Sequence, residues 1–280
     1  MTCIILLIVA LARPRKGMKV EQISTEGVAM MIAVDRSGSM GETMLYKGQQ
    51  LNRLEVVKKV VTDFIAGDGK DYQGRMGDMI GLVTYARYAD TQCPLVRGNS
   101  IITDFLKETE LVTQRAEDGT AIGDGLATAI SRLQDSEAIS KVIILLTDGV
   151  NNAGSVDPLS AAEISKMFGI RVYTIGVGSR GYAPYPVQTI YGTQMQQMEV
   201  QIDEELLQQI AQQTNGRYFR AENNNKLRQI YNEIDKLEKS KIDVQEFKRK
   251  HEMFLPFALF AVAAFIIEIL LRYLYFRKLP

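Results

Sequence analysis

Four short apolar runs, separated by stretches with helical periodicity, constrain the fold of this chain more than any other feature. The runs are continuous rather than alternating, as expected of strands that are covered on both faces. Parallel strands need long crossover connections, which are usually helices. The pattern therefore predicts an α/β fold with three layers and a mostly parallel central sheet. The predicted strands are Val28–Val34, Met79–Tyr85, Val142–Thr147 and Val172–Val177.

Helical signals fill the intervals between these strands. Apolar residues recur at helical spacing after Asn52, and again after Asp124. Asp157 and Pro158 combine an N-cap with a proline at the first helical position, which predicts a helix that runs to Phe168. Two further helices are predicted at Glu204–Gln213, capped by Asp203, and at Asn225–Lys239.

The stretch Ser179–Gln201 breaks this rhythm. It contains glycines, prolines and three tyrosines, and it has no helical period. We interpret it as an inserted loop or hairpin.

Polar residues follow the ends of two predicted strands and begin a predicted helix. The first strand leads into the segment from Asp35 to Ser39, and the third leads into Asp148. In open α/β sheets, ligands bind at the carboxyl ends of the strands, near the point where the strand order reverses. Thr120 stands at the start of the helix between them and supplies a further hydroxyl. The predicted ligand set is Asp35, Ser37, Ser39, Thr120 and Asp148.

This set contains only oxygen ligands, namely two carboxylates and three hydroxyls. Such ligands suit a hard cation, so we expect Mg²⁺, or else Mn²⁺ or Ca²⁺, rather than zinc. Because few of the ligands are charged, the cation stays electron-poor and keeps a position for an external oxygen. A carboxylate from a protein partner would fill that position. By themselves Asp35, Ser37 and Ser39 would equally suit a turn with a helix cap; Thr120 and Asp148 favour the metal site.

Composition excludes several other functions. Lys+Arg and Asp+Glu are equal at 33 each, so no basic surplus indicates nucleic-acid binding. Cys3 and Cys93 have no paired spacing, which argues against a disulfide framework or a thiolate metal site. The single histidine, His251, is far in sequence from Ser39, so a serine hydrolase lacks its usual base.

We therefore predict a binding module and not an enzyme. Two alternatives stay open: metal-dependent hydrolysis, and a structural membrane protein with a vestigial metal site.

Two segments are apolar enough to suggest a membrane. Residues 253–271, apolar except for Glu268, approach the length of about 20 residues that a spanning helix needs. Glu268 and Arg272 form an i,i+4 pair, and an aromatic and cationic end follows. We predict a transmembrane helix there. The shorter segment 1–12 fits either a signal-peptide core or the end of a spanning helix that begins upstream, and we favour the second.

The predicted domains are 1–12, a partial membrane segment; 24–239, the α/β domain; 240–252, a linker; and 253–276, the membrane helix.

The motifs resemble the metal-ion-dependent adhesion site (MIDAS) of von Willebrand factor A (VWA) domains. Asp35-x-Ser37-x-Ser39, then Thr120, then Asp148 have the order and spacing of that site, and the resemblance spans about residues 24–239. In the family, the serines and the threonine contact the metal directly or nearly so, while the aspartates often act through water. The resemblance therefore implies a VWA fold and a divalent cation that binds an acidic partner residue.

Further motifs are similar to those of the Bat (aerotolerance-operon) family. That family implies an inner-membrane protein with a periplasmic VWA domain, other Bat-type proteins as partners, and an association with MoxR-type AAA+ ATPases in stress tolerance. Arg36 departs from the family, which usually has a small or β-branched residue there; we expect its side chain to point away from the metal. The motifs that carry the resemblance are Ala10-Leu11-Ala12-Arg13-Pro14, Asp118-Gly119-Thr120-Ala121-Ile122-Gly123-Asp124, Leu145-Leu146-Thr147-Asp148-Gly149 and Tyr173-Thr174-Ile175-Gly176-Val177-Gly178.

Overall fold

The computed structural model describes residues 12, 15–17, 27–69, 72, 74–75, 77–178, 181–189, 192–200, 202–243, 250–252 and 254–274. The chain divides into two units. One unit is Ser24–Val244, and the other combines Met1–Ile23 with Gln245–Pro280.

The larger unit is built on one sheet, which has six strands within the described residues. In chain order the strands are Val28–Asp35 (β2), Met79–Tyr85 (β5), Ala89–Arg97 (β6), Ser140–Thr147 (β7), Ile170–Val177 (β8) and Tyr218–Ala221 (β11). Its order is β11-β8-β7-β2-β5-β6, and every neighbouring pair is parallel except β5 with β6. The strand order therefore reverses beside β2, between β7 and β5. All four predicted strands are confirmed, each to within two residues at either end.

Helices cover both faces of this sheet, and several of them begin at side-chain caps that the sequence contains. Asn52 accepts a hydrogen bond from the main-chain N–H of Glu55 over 2.7 Å, and Asp157 accepts one from Ser160 over 2.9 Å. These caps satisfy N–H groups that have no partner inside the helix. The helices are Arg53–Ala66 (α1), Asn99–Glu108 (α2), Ile122–Leu133 (α3), Pro158–Met167 (α4), Glu204–Gln213 (α5) and Asn224–Asp243 (α6).

The two faces of the sheet carry separate hydrophobic cores. On β2, Met30 and Ile32 belong to the core that includes residues of α1 and α6. Met31 and Ala33 belong to the opposite core, which includes residues of α3, α4 and α5. Because successive side chains point to opposite faces and both faces are covered, every residue of β2 is buried. This explains the continuous apolar run in the sequence.

Helix α6 is fastened to the sheet by a buried carboxylate, Glu238. It accepts hydrogen bonds from the hydroxyl of Ser140 over 2.5 Å and from that of Tyr173 over 2.6 Å, and it forms an ion pair with Arg171. Ser140 is the first residue of β7, so this cluster lies at the amino edge of the sheet. A buried charge is tolerated there because three donors satisfy it.

Two hairpins interrupt the alternation of strands and helices. The insertion at 179–201 contains Gly181–Thr189 (β9) paired antiparallel with Gly192–Val200 (β10), so the prediction of a loop or hairpin is confirmed. A second hairpin, Thr43–Tyr46 (β3) with Gln49–Asn52 (β4), was not predicted.

The smaller unit contains a short strand pair and one helix among its described residues. Arg15–Gly17 (β1) pairs antiparallel with Lys250–Glu252 (β12), and Phe254–Leu274 forms helix α7. In the described part of the chain, no helix combines the length and the hydropathy that crossing a bilayer requires. The predicted helix is thus present, but its assignment as a transmembrane span is not confirmed. The predicted membrane segment at 1–12 lies outside the described residues, apart from Ala12.

Candidate metal centre

The loop after β2 turns back on Asp35 and brings two serines beside each other. The main-chain N–H of Ser37 donates to Asp35 Oδ1 over 2.9 Å. A single 3₁₀ turn, Gly38–Gly41, follows and carries Ser39. The hydroxyl oxygens of Ser37 and Ser39 are 3.0 Å apart. Three of the five predicted ligands therefore meet in one tight turn at the carboxyl edge of the sheet.

Asp148 joins this group because β7 is the neighbour of β2. Val34 pairs with Leu146, so the residues that follow the two strands lie side by side. The hydroxyl of Ser39 donates to Asp148 Oδ1 over 2.6 Å. The strand-end argument made from the sequence thus places four of the predicted ligands together.

Thr120 reaches the same edge from the loop before α3. A Cβ built on Gly149 would lie 3.1 Å from Thr120 Oγ1, which puts the threonine hydroxyl next to the residue that follows Asp148. Asn152 braces this position: its side chain accepts from the N–H of Thr120 over 2.8 Å, and its own N–H donates to the Thr120 carbonyl over 3.1 Å. The structure therefore gathers all five predicted residues at one edge.

Asp118 ties two of these loops together, a role that the sequence did not reveal. Its Oδ1 accepts hydrogen bonds from the N–H of Gly38 over 2.8 Å and of Gly119 over 3.0 Å. Gly119 has a φ of 145°, a conformation that favours glycine. Asp118 thus fixes the serine loop against the threonine loop from outside the predicted ligand set.

The two aspartates form a buried and mutually repelling pair. Burial, followed by the nearby charge of Asp148, raises the pKa of Asp35 to about 7. Burial also raises the pKa of Asp148, although Arg53 opposes that rise. Desolvation and like charges both disfavour ionised carboxylates. A cation placed between them would remove that penalty, so the side chains present fit a divalent metal.

Arg53 and Glu42 are the other charged residues that the sequence did not assign to the site. Arg53, the first residue of α1, is only 2% exposed, and its Nη1 donates to Asp148 Oδ2 over 2.6 Å. Its Nη2 forms an ion pair with Glu42. Burial raises the pKa of Glu42, and Arg53 counteracts this. From the sequence, Arg53 is simply the first residue of a helix.

Arg36 lies on the outside of the serine loop. Its guanidinium contacts the main-chain carbonyl of Glu110 at 3.5 Å in an exposed position. This orientation agrees with the expectation that Arg36 points away from the metal.

The donor set differs from sites built on clustered acids, histidines or cysteines. No group of three or more such residues suited to a metal ion occurs in the described ranges. The predicted set has only two carboxylates, and hydroxyls supply the rest. Hard cations such as Mg²⁺ accept oxygen ligands of both kinds.

Comparison with known proteins identifies the fold. The model of the von Willebrand factor type A domain matches residues 30–233. The chain belongs to the VWA domain family. Within the family it is similar to a solved BatB protein from Bacteroides thetaiotaomicron, with 28% identity, a TM-score of 0.61, and coverage of 76% of this chain and all of that one. The resemblance to Bat proteins is thus confirmed.

Three other proteins extend the comparison. An aerotolerance-related membrane protein from Bacteroides fragilis has 29% identity and a TM-score of 0.58, over 75% of this chain and 100% of that one. Proximal thread matrix protein 1 of the mussel byssus, solved with zinc in its MIDAS motif, shares the fold at 24% identity and a TM-score of 0.55, over 76% of this chain and 46% of that one. An uncharacterized protein of Borreliella burgdorferi is 30% identical over 62% of this chain, and the match covers about half (47%) of that protein.

Proposed function

We propose that this chain is a membrane-anchored VWA domain that holds a divalent cation, preferably Mg²⁺, and binds an acidic side chain of a protein partner through it. The observation that carries the proposal is the buried pair Asp35 and Asp148, surrounded by hydroxyls at the carboxyl edge of the sheet. Burial raises the pKa of both carboxyl groups, and a bound cation would counteract this by favouring the ionised forms. The edge is also where α/β sheets bind ligands.

The proposed ligands are of two kinds, neutral hydroxyls and charged carboxylates. Ser37, Ser39 and Thr120 would coordinate the metal with neutral oxygens, while Asp35 and Asp148 would balance its charge directly or through water. When bound, the cation supplies a Lewis acid with a coordination position that an external carboxylate fills. Hydrogen bonds within the loops hold these oxygens in place before the metal arrives, which reduces the cost of ordering them.

Membrane attachment is the second part of the proposal. Helix α7 carries a series of exposed apolar side chains, and the similar Bacteroides fragilis protein is described as a membrane protein. Apolar surface of this extent favours burial in lipid or against another protein. We place the chain in the inner membrane with its VWA domain on the periplasmic side. The exposed residues are Leu259, Phe260, Val262, Phe265, Ile266, Ile267, Ile269 and Leu270.

The partner is a protein, and the domain is a binding module rather than an enzyme. Other Bat-type membrane proteins and a MoxR-type AAA+ ATPase are our candidates for the complex, on the basis of the family resemblance. The single histidine of the sequence, His251, belongs to the smaller unit. Hydrolysis at the metal would need a general base, whereas partner binding needs none.

Partner capture from detergent-solubilised membranes tests the proposal. The wild-type chain is compared with Ser39→Ala and Thr120→Ala, each with Mg²⁺, with chelator, and with Mg²⁺ restored after chelator. We expect capture to fail in chelator and in both variants, and to return for the wild type when Mg²⁺ is restored. Each substitution removes one oxygen ligand and little buried volume, so the fold should survive.

Arg36→Ala is the matched control, because this side chain lies on the same loop but points to Glu110. It should retain capture. Equal capture by all variants, with and without chelator, would mean that the partner binds another surface. Metal binding without any metal-dependent partner would favour a vestigial site.

A further inference from the structure

Arg53 is a buried cation in contact with one of the proposed metal ligands. Its Nη1 donates to Asp148 Oδ2 over 2.6 Å, while the other oxygen of the same carboxylate accepts from the hydroxyl of Ser39, also over 2.6 Å. The two contacts assign different roles to the two oxygens of Asp148. One oxygen is occupied by the guanidinium, and the other faces the serine loop.

The position of Arg53 is fixed from several sides. Its main-chain N–H donates to the carbonyl of Glu42 over 2.8 Å, and its Nη2 forms an ion pair with the Glu42 carboxylate. A Cβ added to Gly178 would lie 2.9 Å from Nη2, so the guanidinium also packs closely against the end of β8. Gly178 has a φ of 138°, so a larger residue is disfavoured on two counts. These contacts therefore hold the guanidinium in a fixed position at this edge of the sheet.

The charges of the buried groups indicate what Arg53 does. Asp35, Asp148 and Glu42 are three buried carboxyl groups, and Arg53 is one buried guanidinium beside them. If all are ionised, two negative charges remain, which is the charge that a divalent cation balances. Without a metal, Arg53 is the cation that holds Asp148 in place. With a metal, Arg53 repels it, because like charges interact strongly in a buried setting.

We propose that Arg53 is a positioning residue and an internal counter-cation of the metal centre. It keeps the metal-free site folded and directs Asp148 Oδ1 toward the serine loop, and its charge holds metal affinity below what the carboxylates alone would give. This inference rests on the proposed metal site. It adds that the site is tuned for reversible metal binding by a residue that never coordinates the metal.

The test uses the full chain in detergent and two readouts: the melting temperature with chelator or Mg²⁺, and direct Mn²⁺ binding by calorimetry. Arg53→Gln should melt lower than the wild type in chelator, yet gain more on metal addition. Its Mn²⁺ affinity should rise by roughly tenfold or more, since a repulsive charge is removed from a buried site. Glu42→Gln should have the opposite effect and weaken Mn²⁺ binding.

Two further variants separate this role from simple packing. Arg53→Lys keeps the charge but cannot contact both carboxylates in the same way, so it should lose stability in chelator while its Mn²⁺ affinity stays near that of the wild type. Arg75→Gln is the control: Arg75 is another buried arginine, and it pairs with Asp78 and Asp235. It should lower the melting temperature equally with and without metal.

The outcomes distinguish the two proposals. If Arg53→Gln behaves like Arg75→Gln and binds Mn²⁺ as the wild type does, Arg53 is only structural. Should Arg53→Gln not fold, unchanged Mn²⁺ affinity in Glu42→Gln would overturn the charge-balance inference. Metal binding by neither wild type nor Arg53→Gln would overturn both proposals. The expected shifts in metal affinity, with no metal-dependent partner, would contradict only the partner-binding function.

Discussion

Thr147, the last residue of β7, donates its hydroxyl hydrogen bond to Asp35 Oδ2 over 2.7 Å. In return, Ser39 in the loop after β2 donates to Asp148, which follows β7. Each of the two neighbouring strands thus holds the carboxylate of the other. The arrangement preorganises both aspartates and makes each depend on the correct pairing of β2 with β7.

Thr147→Val should destabilise the metal-free protein by about 1–3 kcal/mol, because it leaves a buried carboxylate oxygen without its donor while nearly preserving volume. Unfolding by urea in chelator measures this change. A loss below a few tenths of a kcal/mol would mean that water replaces the threonine hydroxyl.

Millimolar Mg²⁺ should raise the melting temperature of the wild type. Ligand that binds only the folded state contributes about 2.7 kcal/mol at a hundredfold excess over Kd. Asp148→Ala should lose this response, since it removes one of the two buried carboxylates. A wild-type melting temperature that ignores Mg²⁺ and Mn²⁺ would contradict the metal site.

The metal-free protein should lose stability as pH rises from about 5 to about 7. The folded pKa of Asp35 is raised from 3.8 to about 7 by burial and by Asp148. Over this window the folded state keeps a proton that the unfolded state has released, so the free energy of unfolding falls with pH. The loss is on the order of 2 kcal/mol at about 1.4 kcal/mol per pKa unit.

Urea unfolding in chelator at a series of pH values checks this slope. Asp35→Asn has no proton to release and should flatten most of it. Saturating Mg²⁺ should also flatten the slope in the wild type, because the metal favours the ionised carboxylate. An equal slope in the wild type and Asp35→Asn would assign the effect to other groups.

Gly123→Ala should destabilise the domain by about 1–3 kcal/mol or more through overpacking. A Cβ at Gly123 would overlap the carbonyl oxygen of Val156 and lie 3.0 Å from the nitrogen of Pro158, and neither backbone atom can move freely. Gly77→Ala is the control, because a Cβ there meets nothing within 4 Å. Thermal melts check this: Gly123→Ala should lower the melting temperature, whereas Gly77→Ala should change it little.

A chain of residues 13–252 should leave the membrane fraction. It lacks helix α7 and its exposed apolar side chains, the basis on which we propose membrane attachment. Alkaline carbonate extraction compares it with the full chain, which should stay in the pellet. Release of both proteins alike would show that α7 does not anchor the chain.

The sequence predicted the central strands because their environment leaves a simple signature. A strand covered on both faces, such as β2, must be apolar throughout. The edge strand β6 was missed because it is only partly buried and includes Asp90, Gln92 and Pro94. The hairpin of β3 and β4 was missed as well; its two turn residues, Lys47 and Gly48, have positive φ values of 48° and 83°.

The candidate site was predictable only where it follows strand ends. Asp35 and Asp148 could be placed together because their strands were recognised and parallel strands end at one edge. Arg53 and Asp118 could not be placed in this way. Their partners lie 95 and 80 residues away, and neither has a motif that indicates the contact. Both long-range contacts depend on tertiary packing, which a single sequence does not display.

Ser140 contacts elements that lie near both ends of the larger unit's chain. It pairs with Val28, the first residue of β2, and its hydroxyl donates to Glu238 near the end of α6. The proposed ligands stand at the far ends of the same strands, about 26 Å away for eight residues at 3.3 Å each. A pull between a bound partner and the chain ends would therefore run along β2 and β7. The two strands would then carry the load side by side along their backbones, instead of leaving it to hydrogen bonds that are peeled apart one by one.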